Sequence, residues 1–135
     1  MFMKILRGTL AGGIAFFLIG WLIWGVLLTG FSEGSYNTAI NRPDGAMIWW
    51  ALVLSNFVFA FYLTLVLNWA GAKGILAGLK IGAIFGTLYA LSVDLGMFSM
   101  TTMFLRPAGI VVDTLAYAVV SASVGLLIVL LWGKE

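Results

Sequence analysis

Two carboxylates, Asp94 and Asp113, stand inside long apolar stretches of this chain. An ionised carboxyl near the centre of a bilayer costs at least about 2.5–3.5 kcal/mol on insertion scales. Such a residue turns toward the interior of a helix bundle, finds a partner, or lies close to the interface. Paired carboxylates can serve general acid–base catalysis, and together with Asn56 they could offer oxygen ligands to a hard cation. Neither chemistry is completed by the rest of the chain. With 0 His and 0 Cys, imidazole catalysis, thiolate nucleophiles, disulfides and the common transition-metal sites are excluded. No nucleophile–base set, phosphate-binding glycine loop or metal-ligand cluster accompanies the carboxylates. The chain therefore reads as no enzyme, with neither cofactor nor metal.

The spacing around the carboxylates is informative. The chain turns at Arg106-Pro107, with Asp94 before the turn and Asp113 after it, so both fall in the same half of the membrane and Asp94 lies deeper. Thr87, Asp94 and Thr101 recur every seven residues and share a helix face. Asp113, Tyr117, Ser121 and Gly125 recur every four, as do Asn56, Ala60 and Thr64. These lines are expected to converge on the bundle axis. They would form an outward-opening polar pocket lined by Asn56, Asp94, Asp113 and Tyr117, with Arg106 at its rim. A plainer reading gives the same residues structural work. Polar groups between membrane helices act as hydrogen-bond glue worth about 0.6 kcal/mol on average. Asp113 would then pair with Arg106, or be held by the positive end of its own helix.

The elements that must position these groups follow from composition. Of 135 residues, 63% are hydrophobic and 9% charged, with a mean hydropathy of +1.14. A soluble domain carries roughly 25% charge, so lipid is the expected solvent. Apolar runs at about 10–28, 46–69, 75–103 and 108–132 are each long enough to span a bilayer. Backbone groups in hydrocarbon must pair within their own segment, which makes each run a helix. The expected fold is all-α: a single domain over residues 1–135, an integral membrane four-helix bundle running up-down-up-down. The basic start at Lys4 and Arg7 reads as the edge of an uncleaved first helix, because the following run is long and lacks a clear cleavage site.

Lys4, Arg7, Lys73, Lys80 and Lys134 fall on one side, Arg42 and Arg106 on the other. This bias places the first side, with both the N and C termini, in the cytoplasm. Trp49 and Trp50 fit the outer interface, Trp69 and Trp132 the inner one. The polar stretch 30–45 is an outer loop, read chiefly as a solvated connector. The short connection 71–74 predicts that the second and third helices are antiparallel neighbours. Gly74, Gly78, Gly82 and Gly86 recur every four residues, a glycine ridge suited to close helix packing. Gly8 and Gly12 form a shorter match at the same depth and are the expected partner.

The chain also resembles a known family. The matching pieces are Gly20-Trp21-Leu22-Ile23-Trp24-Gly25, Ala51 to Phe57 around Asn56, Gly78-Leu79-Lys80-Ile81-Gly82, and Phe104-Leu105-Arg106-Pro107 leading into Val112-Asp113-Thr114-Leu115-Ala116-Tyr117. Together they are similar to a family of bacterial four-helix integral membrane proteins catalogued as a domain of unknown function. That family has a Pro or Asn near the position of Asp94, where this chain has Ser92-Val93-Asp94-Leu95-Gly96. The resemblance implies a multi-pass protein of the bacterial inner (plasma) membrane and brings no activity with it.

The function expected from all this is that of a non-catalytic accessory subunit, or a binder of a lipid or other small ligand. The alternative is a small oligomeric transporter or channel, proton-coupled through Asp94. Membrane lipid, a second copy or a larger membrane complex are the expected partners. Nucleic acid is not, because the net charge of +2 comes without a Lys/Arg cluster.

Overall fold

A computed structural model describes residues 1–133; Lys134, counted above with the inner charges, lies outside the described residues. Four helices are long and apolar enough to cross a membrane, which makes the chain an all-α, multi-pass membrane protein. Helix α1 (Phe2–Leu22) continues through one π turn, Ile23–Leu27, whose closing bond runs from Leu28 N–H to the Ile23 carbonyl at 2.9 Å. A short helix α2 (Thr29–Ser35) follows, then α3 (Trp49–Trp69), α4 (Ile75–Met100) and α5 (Pro107–Trp132). Many large apolar side chains point outward, among them Leu18, Leu88, Leu115 and Trp50, as expected where lipid tails replace water.

Helix ends depart from the expected runs for local reasons. Helix α1 begins at Phe2 rather than near residue 10 because the polar residues Lys4 and Arg7 are simply its first turns; Arg7 Nε donates to the Met3 carbonyl one turn back. Helix α4 stops at Met100, and residues 101–106 form an irregular turn. Pro107, with φ already fixed and no N–H to leave unpaired, starts α5. The turn between α3 and α4 closes through Gly71 (φ 66°) and Gly74 (φ 85°), a backbone region open to glycine.

The order of packing was not visible in the chain. Helices α4 and α5 pack most extensively, α1 and α3 next, and α1 joins the two pairs by packing on α5. The tight turn does make α3 and α4 consecutive, yet they touch little along their length. Glycines decide the closest seam. A Cβ at Gly78 would sit 2.6 Å from the Gly125 carbonyl oxygen, one at Gly82 would collide with the Ser121 carbonyl, and one at Gly86 with the Ser121 side chain. The glycines of α4 therefore face α5, not Gly8 and Gly12. Those two face Thr64, Ala60 and Ile128 in a separate seam. The core between the seams is apolar and fully enclosed: Leu63, Leu67, Val120, Val124 and Ile128 expose nothing.

At the end of α5, Trp132 is packed into the bundle. It is buried, its Nε1 donates to the Lys4 carbonyl at 2.9 Å, and the Lys4 ammonium lies 4.3 Å from its ring centre. A buried indole N–H needs an acceptor, and the first turn of α1 supplies it.

Candidate functional site

Asp94 of α4 and Asp113 of α5 are both buried and line the same cavity. Their surroundings differ. Asp113 accepts a hydrogen bond from Trp24 Nε1 at 2.9 Å, whereas Asp94 Oδ2 is enclosed without a partner. The donor arrives through the irregularity in α1. Trp24 sits in the π turn and lies over Gly20, where a Cβ would come within 3.3 Å of its ring. Single π turns in otherwise regular helices recur at functional sites.

The two carboxylates open onto a cavity of about 280 Å³ lined by Trp24, Tyr89, Ala90, Val93, Asp94, Met103, Asp113 and Tyr117. Three of the lining residues are aromatic and contiguous. The Trp24 and Tyr117 ring centres are 4.7 Å apart, those of Tyr89 and Tyr117 5.6 Å. Among the described residues, no Lys or Arg lines the cavity.

The cavity end of the bundle is closed by the end of α2, within the expected 30–45 connector, and the 101–106 turn. Leu105 N–H donates to the Ser35 carbonyl at 2.7 Å and Asn37 N–H to the Met103 carbonyl at 2.8 Å, fastening the end of α2 to the 101–106 turn. Asn37 Nδ2 adds a bond to Thr102 Oγ1 at 2.9 Å. Tyr36 packs edge-on against Phe104, with ring centres 5.2 Å apart, above Gly109, where a Cβ would meet both rings at 3.0–3.1 Å. The Tyr36 hydroxyl is buried and unpartnered. Burial first, then the nearby Asp113 and Asp94, push this phenol's ionisation well above its ordinary range, so it stays neutral.

The residues named from spacing therefore divide. Asp94, Asp113 and Tyr117 meet at the cavity. Asn56 is buried on the other side of Trp24 and Tyr117, in a separate crevice of about 700 Å³ between α1 and α3, and its Nδ2 donates to the Leu52 carbonyl in its own helix at 2.7 Å. Arg106 does not line the cavity. Its Nε donates to Ser35 Oγ at 2.9 Å and its guanidinium lies 5.3 Å from the Phe31 ring centre. The expected Asp113–Arg106 pairing is replaced by the Trp24 bond, and Asp113 stands in the second turn of α5, beyond the reach of a dipole that fades within the first. The inner ends of the polar lines are packing seams: Ala60 and Thr64 against α1, Ser121 and Gly125 against α4. Thr101 lies past the end of α4 and is exposed.

Sequence reading missed Trp24 and Tyr36. An indole well inside an apolar run signals a need for an acceptor, and that could have singled out Trp24. Tyr36 carried no comparable signal, because its position depends on the bonding of two loops far apart in sequence.

Beside the cavity lies an aromatic slot. Phe59 and Tyr62 of α3 meet Phe85 and Tyr89 of α4 at ring separations of 5.3–6.3 Å. These rings hold the two helices apart. A cleft of about 420 Å³ opens there toward lipid past Leu54 and Val58, and it shares Tyr89 and Tyr117 with the carboxylate cavity. No family model, curated protein or solved structure matches the chain.

Proposed function

We propose that this chain is a non-catalytic, membrane-embedded binding protein, and that its site is the carboxylate cavity together with the aromatic slot between α3 and α4. The observation that carries this reading is the unpartnered Asp94 oxygen, buried in a cavity whose walls adjoin a cleft open to lipid. A buried polar atom without a partner costs about 1–3 kcal/mol, and a bound ligand group offsets that cost. The ligand is a small amphiphile taken from the bilayer, its polar end at Asp94 and its apolar part in the slot.

The enclosed inner core weighs against a conducting path through a single chain. No cluster of three acidic, His or Cys residues is present among the described residues to favour a metal. On the positive-inside rule both termini lie in the cytoplasm and the site faces the outer leaflet of the bacterial inner membrane. Native mass spectrometry of protein released from nanodiscs tests the reading. Wild type is expected to retain a small co-purified molecule that Asp94→Asn releases. Identical, ligand-free spectra for both proteins from cells and from lipid-extract nanodiscs would contradict it.

A further inference from the structure

We infer that the ligand group bound at Asp94 and Asp113 is an organic ammonium: a primary to quaternary amine carrying an apolar substituent. The inference rests on the binding reading above and adds the chemical class of the ligand.

The charge of the ligand follows from the walls. Two carboxyl groups line one cavity, and both are acceptors when ionised. One indole N–H serves Asp113, and none serves the second oxygen of Asp94. The nearest outer cation by sequence, Arg106, is engaged with Ser35 and Phe31 instead. With both carboxyls ionised, an anion or a neutral acceptor would find no free donor among the lining residues except the tyrosine hydroxyls, and an anion would also be repelled.

Its chemistry follows from the rest of the lining. A hard metal ion asks for six or more oxygen ligands, whereas this cavity continues into Trp24, Tyr89, Tyr117, Val93 and Ala90. Aromatic faces attract ammonium groups through the ring quadrupole, most strongly where water is excluded. Contiguous aromatic rings beside a carboxylate pair suit a cation with a carbon-covered surface. A volume of about 280 Å³ holds a head group, not a whole drug-sized molecule. The substituent continues past Tyr89 and Tyr117 into the slot of about 420 Å³.

Its route follows from the outer closure. The fastening of Ser35 and Asn37 to the 101–106 turn and the buried Phe104 block entry from above. Entry is lateral, through the cleft and past Tyr89 and Tyr117, the two side chains that cleft and cavity share.

The test uses benzyltrimethylammonium and its uncharged carbon analogue, neopentylbenzene, titrated calorimetrically into the full chain in zwitterionic-lipid nanodiscs. Saturable binding of the ammonium is expected, at least tenfold tighter than that of the neutral analogue, on the order of a 1.4 kcal/mol preference. Asp94→Asn should weaken ammonium binding at least about tenfold while leaving the neutral analogue unchanged. Asp113→Asn, a second variant that keeps the Trp24 acceptor, should do the same, so that misfolding of one variant does not decide the matter. Equal binding of both probes, or no saturable ammonium binding by a folded wild type, overturns the ammonium class. The binding reading is judged separately by the co-purified molecule: a neutral molecule released by Asp94→Asn would keep that reading and end this one.

Discussion

Helix α4 has two unlike faces, and each sets a different distance to its neighbour. Gly78, Gly82 and Gly86 remove side chains so that the backbones of α4 and α5 meet, leaving room for nothing else. Phe85 and Tyr89 lie on another face of the same helix and, with Phe59 and Tyr62, hold α3 away. Glycine contact gains dispersion along a whole seam in a medium where lipid competes equally for apolar side chains. Aromatic contact fills space through a few large rings that can turn aside. One face therefore builds a rigid pair, and the other builds an opening. The carboxylates stand where the two meet: the rigid α4–α5 pair sets Asp94 and Asp113 on one cavity, and the opening gives lipid-side access to them.

This contrast can be broken by substitution. Gly82→Leu on the closed face should leave no folded, monodisperse protein in mild detergent, read by size-exclusion chromatography. Gly82→Ala should cost about 1–3 kcal/mol, the usual cost of overpacking where the obstacle, here the Ser121 carbonyl, is backbone. Phe85→Ala on the open face should cost about 1 kcal/mol or less in the same unfolding assay, because lipid tails can fill the vacated space. Equal costs on the two faces would sink the comparison. Trp24→Phe removes the indole donor to Asp113 and should cost about 0.6 kcal/mol, with a ceiling near 1.7 as for other interhelical bonds in membranes. The smallest effect is expected from Arg106→Gln: the bond to Ser35 is lost, outer-loop amides exchange faster, and ammonium binding stays as in wild type. Weakened binding in Arg106→Gln would return that residue to the rim of the cavity.

Much of the site was legible because membrane burial is an unforgiving rule. A carboxylate in an apolar helix has few places to go, so Asp94, Asp113 and Tyr117 could be grouped from spacing and depth alone. Asn56 fits the same spacing rule and still fell in another crevice, because helical period gives a face and not the helix that face meets. Gly8 and Gly12 show the same limit: their small size announces a close contact but not its partner. Arg106 was drawn toward Asp113 by opposite charge. In the folded chain Ser35 and Phe31, some seventy residues away in sequence, hold it elsewhere.

The sequence by itself determined the solvent, the four spanning helices and the absence of His and Cys chemistry, because hydropathy, helix length and residue type are properties of each segment alone. Only the tertiary structure decided which helices touch, that a π turn delivers Trp24 to Asp113, and that Tyr36 packs against Phe104 at the closed end of the bundle. Those outcomes rest on contacts between segments distant in the chain, where several pairings satisfy the same local pattern and the summed packing of all of them selects one.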